Sequence, residues 1–540
     1  KLSRLQTILL AVLSGILLGV SWPATGSVTP FIFIGFVPLL FIDQQISSGT
    51  RKGSIFWLSF LAFFLFNLIS TWWIFCVDEN LITKLISIGT PVLLNPLFMA
   101  ITFKWFSNVK KRLGEKRGYW SFVLFWLAFE YLHLNWSISD PWLTLGNVFA
   151  NRPSWVQWFE FTGALGGSLW ILIVNLFLFF LTNALVIRAG KKSIAKHLLW
   201  LALLLVLPIA FSVVTYINYS EKLDPVNITL VQPNIDPYNV KFTGDAGEQI
   251  ELLIALAEVN SNEQTNYVVG PETALPYSIW IEKIKESPIH GLLKDFNAKY
   301  PNADIVLGAS MGEIYHDESK ISPTARKFRK VEKWYDHYNS AIQVDQTDSV
   351  QIYHKSKLVL GVETMPFPQL FKPFQDLIFD LGGTTGSLGT QKERNVFQSS
   401  SSDVKIAPVI CWESVYGEHV GEYIKKGANL IFVLTNDGWW DETPGYIQHF
   451  HYSRLRAIET RRSVARSANT GVSCFINQRG DVLESTEWWV PTSINGTLNA
   501  NDTITFYANY GDYIGRVAAA FSILLLIWTF VKRFSTEKIN

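Results

Sequence analysis

Residues 1 to about 220 are a succession of apolar stretches with few charges, and 513–532 is apolar again. Between them, 221 to about 505 has the mixed texture of a water-soluble domain. That layout constrains the fold more than any single motif. Backbone crossing hydrocarbon must satisfy its own N–H and C=O groups, so each apolar stretch able to cross roughly 30 Å is committed to helix. The candidates are eight: 5–22, 29–44, 54–77, 83–106, 119–134, 158–187, 197–217 and 513–532. The second is short and carries Pro38, and the fifth carries Glu130 and His133, which are costly in lipid. With 49% hydrophobic and only 17% charged residues, the composition as a whole lies on the apolar side of soluble proteins.

An even number of spans puts both termini on one side, and basic residues in short connections mark the cytoplasmic side. Lys1 and Arg4 precede the first span, and Arg51-Lys52 follow the second. Lys110-Lys111-Arg112 with Lys116-Arg117 follow the fourth, Arg188 with Lys191-Lys192 the sixth, and Lys532-Arg533 the eighth. Cytoplasmic termini are therefore expected, with the long segment between spans seven and eight delivered across the membrane, into the periplasm of a bacterium. The expected organisation is a transmembrane domain of seven helices over 1–220, an extracytoplasmic domain over 221–505, and an eighth helix with a cytoplasmic tail over 506–540. The first span is read as a retained helix rather than a cleaved leader, because Trp22-Pro23 offers no small-x-small site.

A net charge of +1 gives no field to attract nucleic acid, and basic runs are confined to the short connections. Cys76, Cys411 and Cys474 are too few for a disulfide framework in a chain of 540 residues.

From residue 226 onward, short β-branched runs alternate with helical patterns. Strands are predicted over 227–232, 266–269, 304–308, 340–344, 405–410 and 430–434, and helices over 246–258 and 445–462. This is an α/β domain with strands inside its layers, so catalytic side chains are expected where strands end. Three candidates sit at such ends. Glu272 follows Tyr267-Val-Val-Gly-Pro271, Lys355 lies in Tyr353-His-Lys-Ser-Lys357, and Cys411 ends the run Lys405-Ile-Ala-Pro-Val-Ile410 before Trp412-Glu413. Taken alone, each has a bland reading: a buried structural cysteine, a loop carboxylate, a solvated lysine. Together they make a thiol beside a base and a cation that stabilises an oxyanion, which is apparatus for acyl transfer through a thioester.

Pro271-Glu272 with Ala274-Leu275-Pro276, Tyr353-His-Lys355 with Leu358-Val359, Glu363 and Pro366, then Cys411-Trp-Glu413 and Thr435-Asn-Asp-Gly-Trp439, resemble the nitrilase superfamily with its Glu-Lys-Cys triad. Seven spans before such a domain and one after it resemble the bacterial apolipoprotein N-acyltransferase family. The resemblance implies an α-β-β-α sandwich for the extracytoplasmic domain. It also implies transfer of an acyl chain from a phospholipid, usually phosphatidylethanolamine, to the α-amino group of the diacylglyceryl-cysteine that begins a lipoprotein. A cell inner membrane location is implied with it.

On that resemblance Glu272 is the base toward Cys411, and Lys355, with the Trp412 N–H, stabilises the oxyanion. Lys355 is preferred over Lys357 because it matches the family's Tyr-x-Lys pattern. Glu363 and Glu413 are expected to orient Lys355 and the loop of the nucleophile, and Asn436 to shape the pocket. Met365, Phe367 and Phe371 belong to an apolar segment expected to act as a lid admitting acyl chains, and Trp439-Trp440 to anchor at the membrane interface. Gly270, Gly361 and Phe242 depart from the family's pattern at positions that bear on pocket shape.

No cofactor is expected, and no metal: His449 and His451 stand two apart on a helix, with no cysteine or carboxylate at ligand spacing. A monomer is expected. The competing readings are a membrane-tethered amidase or hydrolase using the same triad with water, and a non-enzymatic lipoprotein-binding module.

Overall fold

The computed structural model describes residues 2–78, 81–364 and 387–537. The chain divides into two compact units: Lys1–Phe75, Asn80–Asn218 and Tyr510–Asn540 form one, and Cys76–Glu79 with Tyr219–Asn509 the other.

The first unit is helical. Its helices are Arg4–Val20, Val37–Ser47, Ile55–Thr71, Leu81–Gly89, Asn95–Leu113, Glu115–Asn135, Phe159–Val186, Lys191–Asn218 and Tyr513–Glu537. Helix falls on all eight apolar stretches. Among the described residues, five segments are long and apolar enough to cross a membrane: Thr29–Ser47, Ile55–Cys76, Phe159–Val186, Lys191–Asn218 and Tyr513–Lys532. The unit is membrane-embedded.

The second stretch, weakened on paper by Pro38, is one of the five, because Pro38 falls in the first helical turn, where no N–H is required. The fourth is not a single regular helix: Thr90–Leu94 forms a π turn containing Pro91. Gly15 and Gly19 let the first helix lie close on Ile55–Thr71. A Cβ on Gly15 would stand 2.4 Å from the Ala62 carbonyl oxygen, so the contact excludes any side chain. Some polar groups buried inside this unit are paired with one another or with backbone, as with the Lys110–Asp43 ion pair and the Asn175 side chain, which bonds Phe36 N and Ile32 O.

The second unit holds two sheets. Its strands are β1 Pro225–Gln232, β2 Tyr267–Val269, β3 Leu275–Trp280, β4 Asp304–Tyr315, β5 Arg326–Lys327, β6 Trp334–Val344 and β7 Val350–His354. They continue with β8 Phe397–Gln398, β9 Lys405–Ile410, β10 Leu430–Thr435, β11 Val464–Ala468, β12 Cys474–Ile476, β13 Val482–Ser485 and β14 Thr492–Asn499. One sheet runs β14-β1-β2-β4-β6-β5, with β3 on β4 and β7 on β6; the other runs β13-β12-β11-β10-β9-β8. Parallel strands occupy both centres: β1, β2 and β4 in the first, β9, β10 and β11 in the second.

The strand period of two explains the layers. Ile228, Leu230, Tyr267, Val269 and Val306 face Ile406, Ile410, Phe432 and Leu434 of the other sheet in one core. Their neighbours Val231, Val268, Ile305 and Leu307 point the other way, onto Ile250 and Leu253 of helix Ala246–Asn260 and Leu293 and Phe296 of helix Pro288–Lys299. Burial on both faces is why these strands are continuous apolar runs. Helices Gly417–Lys425 and Pro444–Thr460 accompany the second sheet, with Val420, Tyr423 and Ile424 in the shared core. The unit is an α-β-β-α sandwich.

Candidate active site

Glu272, Lys355 and Cys411 each follow the last residue of a strand or the short turn beyond it. Glu272 stands three residues past β2, where Gly308 of β4 leaves room for it: a Cβ on Gly308 would lie 2.6 Å from the Glu272 Cα. Lys355 follows β7 directly, and its N–H donates to the Asn339 carbonyl at 2.8 Å. Its ammonium donates to Glu272 Oε1 and to Glu363 Oε1, each at 2.9 Å, while the Asn339 side-chain amide donates to the same two oxygens at 2.8 Å. Glu363 is fixed in turn by the Val359 N–H, 2.8 Å from Oε2. Burial alone would lower the Lys355 ammonium, but the two carboxylates overcome it and hold the group well above the ordinary lysine range.

Cys411 has a left-handed backbone, φ +48°, unusual outside glycine. The turn lets the thiol leave the line of β9 while the next residues enter a short 3-10 segment, Cys411–Val415. Burial, with the Glu272 charge adding to it, pushes the thiol well above the ordinary cysteine range, and Lys355 opposes them. At rest Cys411 is therefore a thiol, and attack by its sulfur would need a base to remove the proton.

Glu413 ties two of these turns together. Its Oε1 accepts from Tyr353 OH and Ser356 N–H, each at 2.7 Å, and its Oε2 from Ile410 N–H at 2.9 Å. His419 Nε2 lies 3.2 Å away. Burial would raise the carboxyl, but His419 and these donors bring it down to about 2. His419 is the largest of these lowering influences, ahead of the N–H and O–H donors, although burial also lowers His419 itself. A depressed carboxylate stabilises the fold above its unfolded value and loses that contribution as pH falls toward the folded value. Glu413→Gln is thus expected to cost about 3 kcal/mol at pH 7. In melting curves recorded against pH, the gap to wild type is expected to close as pH falls from about 4.3 toward 2.

Cys411, Asp437 and His449 bring a sulfur, a carboxylate oxygen and a ring nitrogen within 4.8 Å of one another. The sequence reading that His449 has no cysteine or carboxylate at ligand spacing is corrected here: the ends of β9 and β10 supply both. The potential ligands are taken up by protein groups. His449 Nδ1 lies 2.7 Å from Asp437 Oδ1, Nε2 lies 3.0 Å from Ser414 Oγ, and Arg466 bonds Asp437 Oδ2. Burial would raise Asp437, but Arg466 and His449 bring it down to about 2. The cluster braces the strained turn, with His449 Nε2 also 3.2 Å from the Cys411 carbonyl oxygen.

Residues 14–177 match the apolipoprotein N-acyltransferase N-terminal domain family, and residues 227–506 match the carbon-nitrogen hydrolase family. The apolipoprotein N-acyltransferase of Chlorobaculum tepidum is 30% identical over 98% of both chains. This chain belongs to the apolipoprotein N-acyltransferase family. The Geobacter metallireducens member is 26% identical, over 93% of this chain and 91% of its own, and the Thermotoga maritima member 26%, over 99% and 95%.

As a member of the apolipoprotein N-acyltransferase family, the chain brings together Glu272, Lys355, Glu363 and, electrostatically, Cys411. Lys357 is elsewhere, its ammonium 4.8 Å over the Tyr416 ring. Trp412 is partly buried and donates through its indole N–H to Tyr416 OH at 3.1 Å. Asn436 is buried beside Asn469, whose side-chain amide donates to it at 3.1 Å. Glu413 touches the turns of Lys355 and Cys411 rather than the Lys355 ammonium.

Trp439 packs within its own unit, its ring 5.2 Å from that of Tyr238 and 6.4 Å from that of Phe242, and Trp440 is partly buried. At Gly270 a side chain would press on Leu253 and Leu307, both at 3.1 Å from the Cβ position. Met365, Phe367 and Phe371 lie outside the described residues. Sequence reasoning missed Asn339, Asp437 and the buried Lys241.

Proposed function

We propose that this acyltransferase moves an acyl chain from a phospholipid to the α-amino group of an N-terminal diacylglyceryl-cysteine on bacterial lipoproteins, through a thioester on Cys411. One observation carries the reading. The thiol, carboxylate and ammonium sit at neighbouring turns in a chain whose whole length, membrane-embedded unit included, is shared with apolipoprotein N-acyltransferases.

Glu272 Oε2 takes none of the bonds that hold Oε1, and accepts the thiol proton. The sulfur attacks the ester carbonyl. Two of the three Lys355 N–H bonds go to Glu272 and Glu363, so the third, with the Trp412 N–H, meets the oxyanion. Collapse breaks the ester C–O bond, and Glu272 returns the proton to the leaving lysophospholipid oxygen. The amine then attacks the thioester, Glu272 takes its proton, and the expelled thiolate recovers it. Glu363 and Asn339 keep Lys355 and Glu272 in register throughout. The scheme is ping-pong.

Phosphatidylethanolamine is the proposed donor. The protein is placed in the inner membrane with eight spans, both termini cytoplasmic and the α-β-β-α unit periplasmic, as the basic connections indicate. It acts as a monomer in this proposal.

The test is the partition of product. Purified protein in mixed micelles receives phosphatidylethanolamine with a labelled acyl chain and a diacylglyceryl-cysteinyl peptide. Labelled N-acyl peptide and lysophospholipid are expected in equal amounts. Release of labelled fatty acid at the same rate with and without peptide would instead make the protein a hydrolase.

A further inference from the structure

Lys241 lies on the loop between β1 and helix Ala246–Asn260, yet it is only 1% exposed. Its ammonium donates to the main-chain carbonyl of Glu272 at 2.8 Å. Gln249 fixes the Lys241 main chain by donating to its carbonyl at 3.1 Å. A lysine buried to this degree with a carbonyl as its hydrogen-bond partner needs a reason, because an ammonium loses much of its hydration there. A mechanical staple on the Glu272 turn would not need the charge.

The charge balance supplies the reason. Glu272 and Glu363 bring two negative charges, and Lys355 between them brings one positive charge, leaving one carboxylate uncompensated in a buried cluster. Lys241 makes the sum zero. Transfer of the thiol proton from Cys411 to Glu272 leaves that sum unchanged, since it turns one carboxylate neutral as it creates one thiolate. The titratable groups facing the ammonium are Glu272 from the turn after β2 and Cys411 from the end of β9. Asp236, on the same loop as Lys241, is engaged with Tyr238 and Asn239.

We propose that Lys241 is the fourth charged member of the reaction centre, stabilising the Cys411 thiolate formed when Glu272 takes its proton. This rests on the reading of Cys411 as nucleophile and Glu272 as base. Burial brings the Lys241 ammonium down to about 8, with Glu272 and Cys411 pulling upward. It therefore carries its charge at neutral pH and releases it on the alkaline side.

The experiment measures the rate of Cys411 alkylation by iodoacetamide against pH, in full-length protein without phospholipid. The Cys411 peptide is quantified apart from those of Cys76 and Cys474. Lys241→Met and Lys241→Gln are compared with Lys241→Arg; glutamine keeps a donor for the Glu272 carbonyl and arginine keeps the charge. Methionine and glutamine are each expected to slow alkylation at pH 7.5 by about tenfold or more, the equivalent of one unit of thiol ionisation, and arginine by less than about threefold. A wild-type pH profile in Lys241→Gln or Lys241→Met overturns the proposal. So does equal loss in all three variants with lowered melting temperatures, which would make Lys241 a structural staple. Thioester formation by the wild-type protein is followed in parallel: its absence refutes the nucleophile assignment, whereas its presence beside unaltered alkylation in Lys241→Met refutes only the role of Lys241.

Discussion

Cys411→Ala is expected to abolish acyl transfer, a fall of at least about 10⁴-fold, while the protein stays folded. No other thiol can take over. Cys474 is buried in β12 on the face it shares with Arg466, turned away from the other sheet, and Cys76 lies in the segment Trp72–Cys76. The substitution removes one buried sulfur from a turn already braced by Glu413, His449 and Asp437, at a stability cost of about 1 kcal/mol. A melting temperature within a few degrees of wild type, beside complete loss of labelled N-acyl peptide, separates a missing nucleophile from a broken fold. Cys411→Ser keeps the size of the group but not an acidic proton, and is expected to be as inactive.

The second large effect belongs to Lys355→Met. Methionine fills the space of the lysine stem and leaves Glu272 and Glu363 facing one another with only the Asn339 amide between them. Both carboxylates are largely buried, so the loss of their shared cation is expected to cost about 3–5 kcal/mol of stability. Activity falls further than stability explains. Losing one oxyanion donor costs about 10²–10³-fold, and the thiolate loses its nearest countercharge as well, so a total loss above about 10³-fold is expected. Single-turnover acylation of Cys411 in folded Lys355→Met protein checks this, because it isolates the first half-reaction from amine binding. Acylation within tenfold of wild type would remove Lys355 from the chemistry and leave it a structural ion-pair partner.

The sequence was most legible where local pattern and three-dimensional role coincide. Strands buried on both faces write themselves as unbroken apolar runs, so β1, β2, β9 and β10 and the turns after them could be placed, and with β2 and β9 Glu272 and Cys411. Glu363, eight residues after Lys355, was legible only through the family resemblance, which marks a carboxylate there; the structure places it on the Lys355 ammonium. The π turn at Thr90–Leu94 was not, since its residues are as apolar as those of a regular span.

Lys241 was opaque for a different reason. A lysine in a polar loop reads as solvated, and only the packing of that loop over the Glu272 turn buries it. Asn339 is separated from Glu272 by 67 residues and sits mid-strand in β6, where its neighbours Tyr338 and Ser340 give no hint of a polar task. His449 was judged against its chain neighbours, but its partners come from the ends of two other strands, an arrangement fixed by the parallel register of β9 and β10.

The central claim is that the acyl chain rests on Cys411 between donor and acceptor, and peptide mass spectrometry tests it most directly. Wild-type protein is incubated with phosphatidylethanolamine alone, quenched in acid, and then examined as peptides. One acyl chain per protein is predicted, as a hydroxylamine-sensitive adduct on the Cys411 peptide that disappears when a diacylglyceryl-cysteinyl peptide is added and is absent from Cys411→Ala. Protein that converts phospholipid and peptide to N-acyl peptide without ever carrying that adduct, or that carries it equally in Cys411→Ala, would contradict the account.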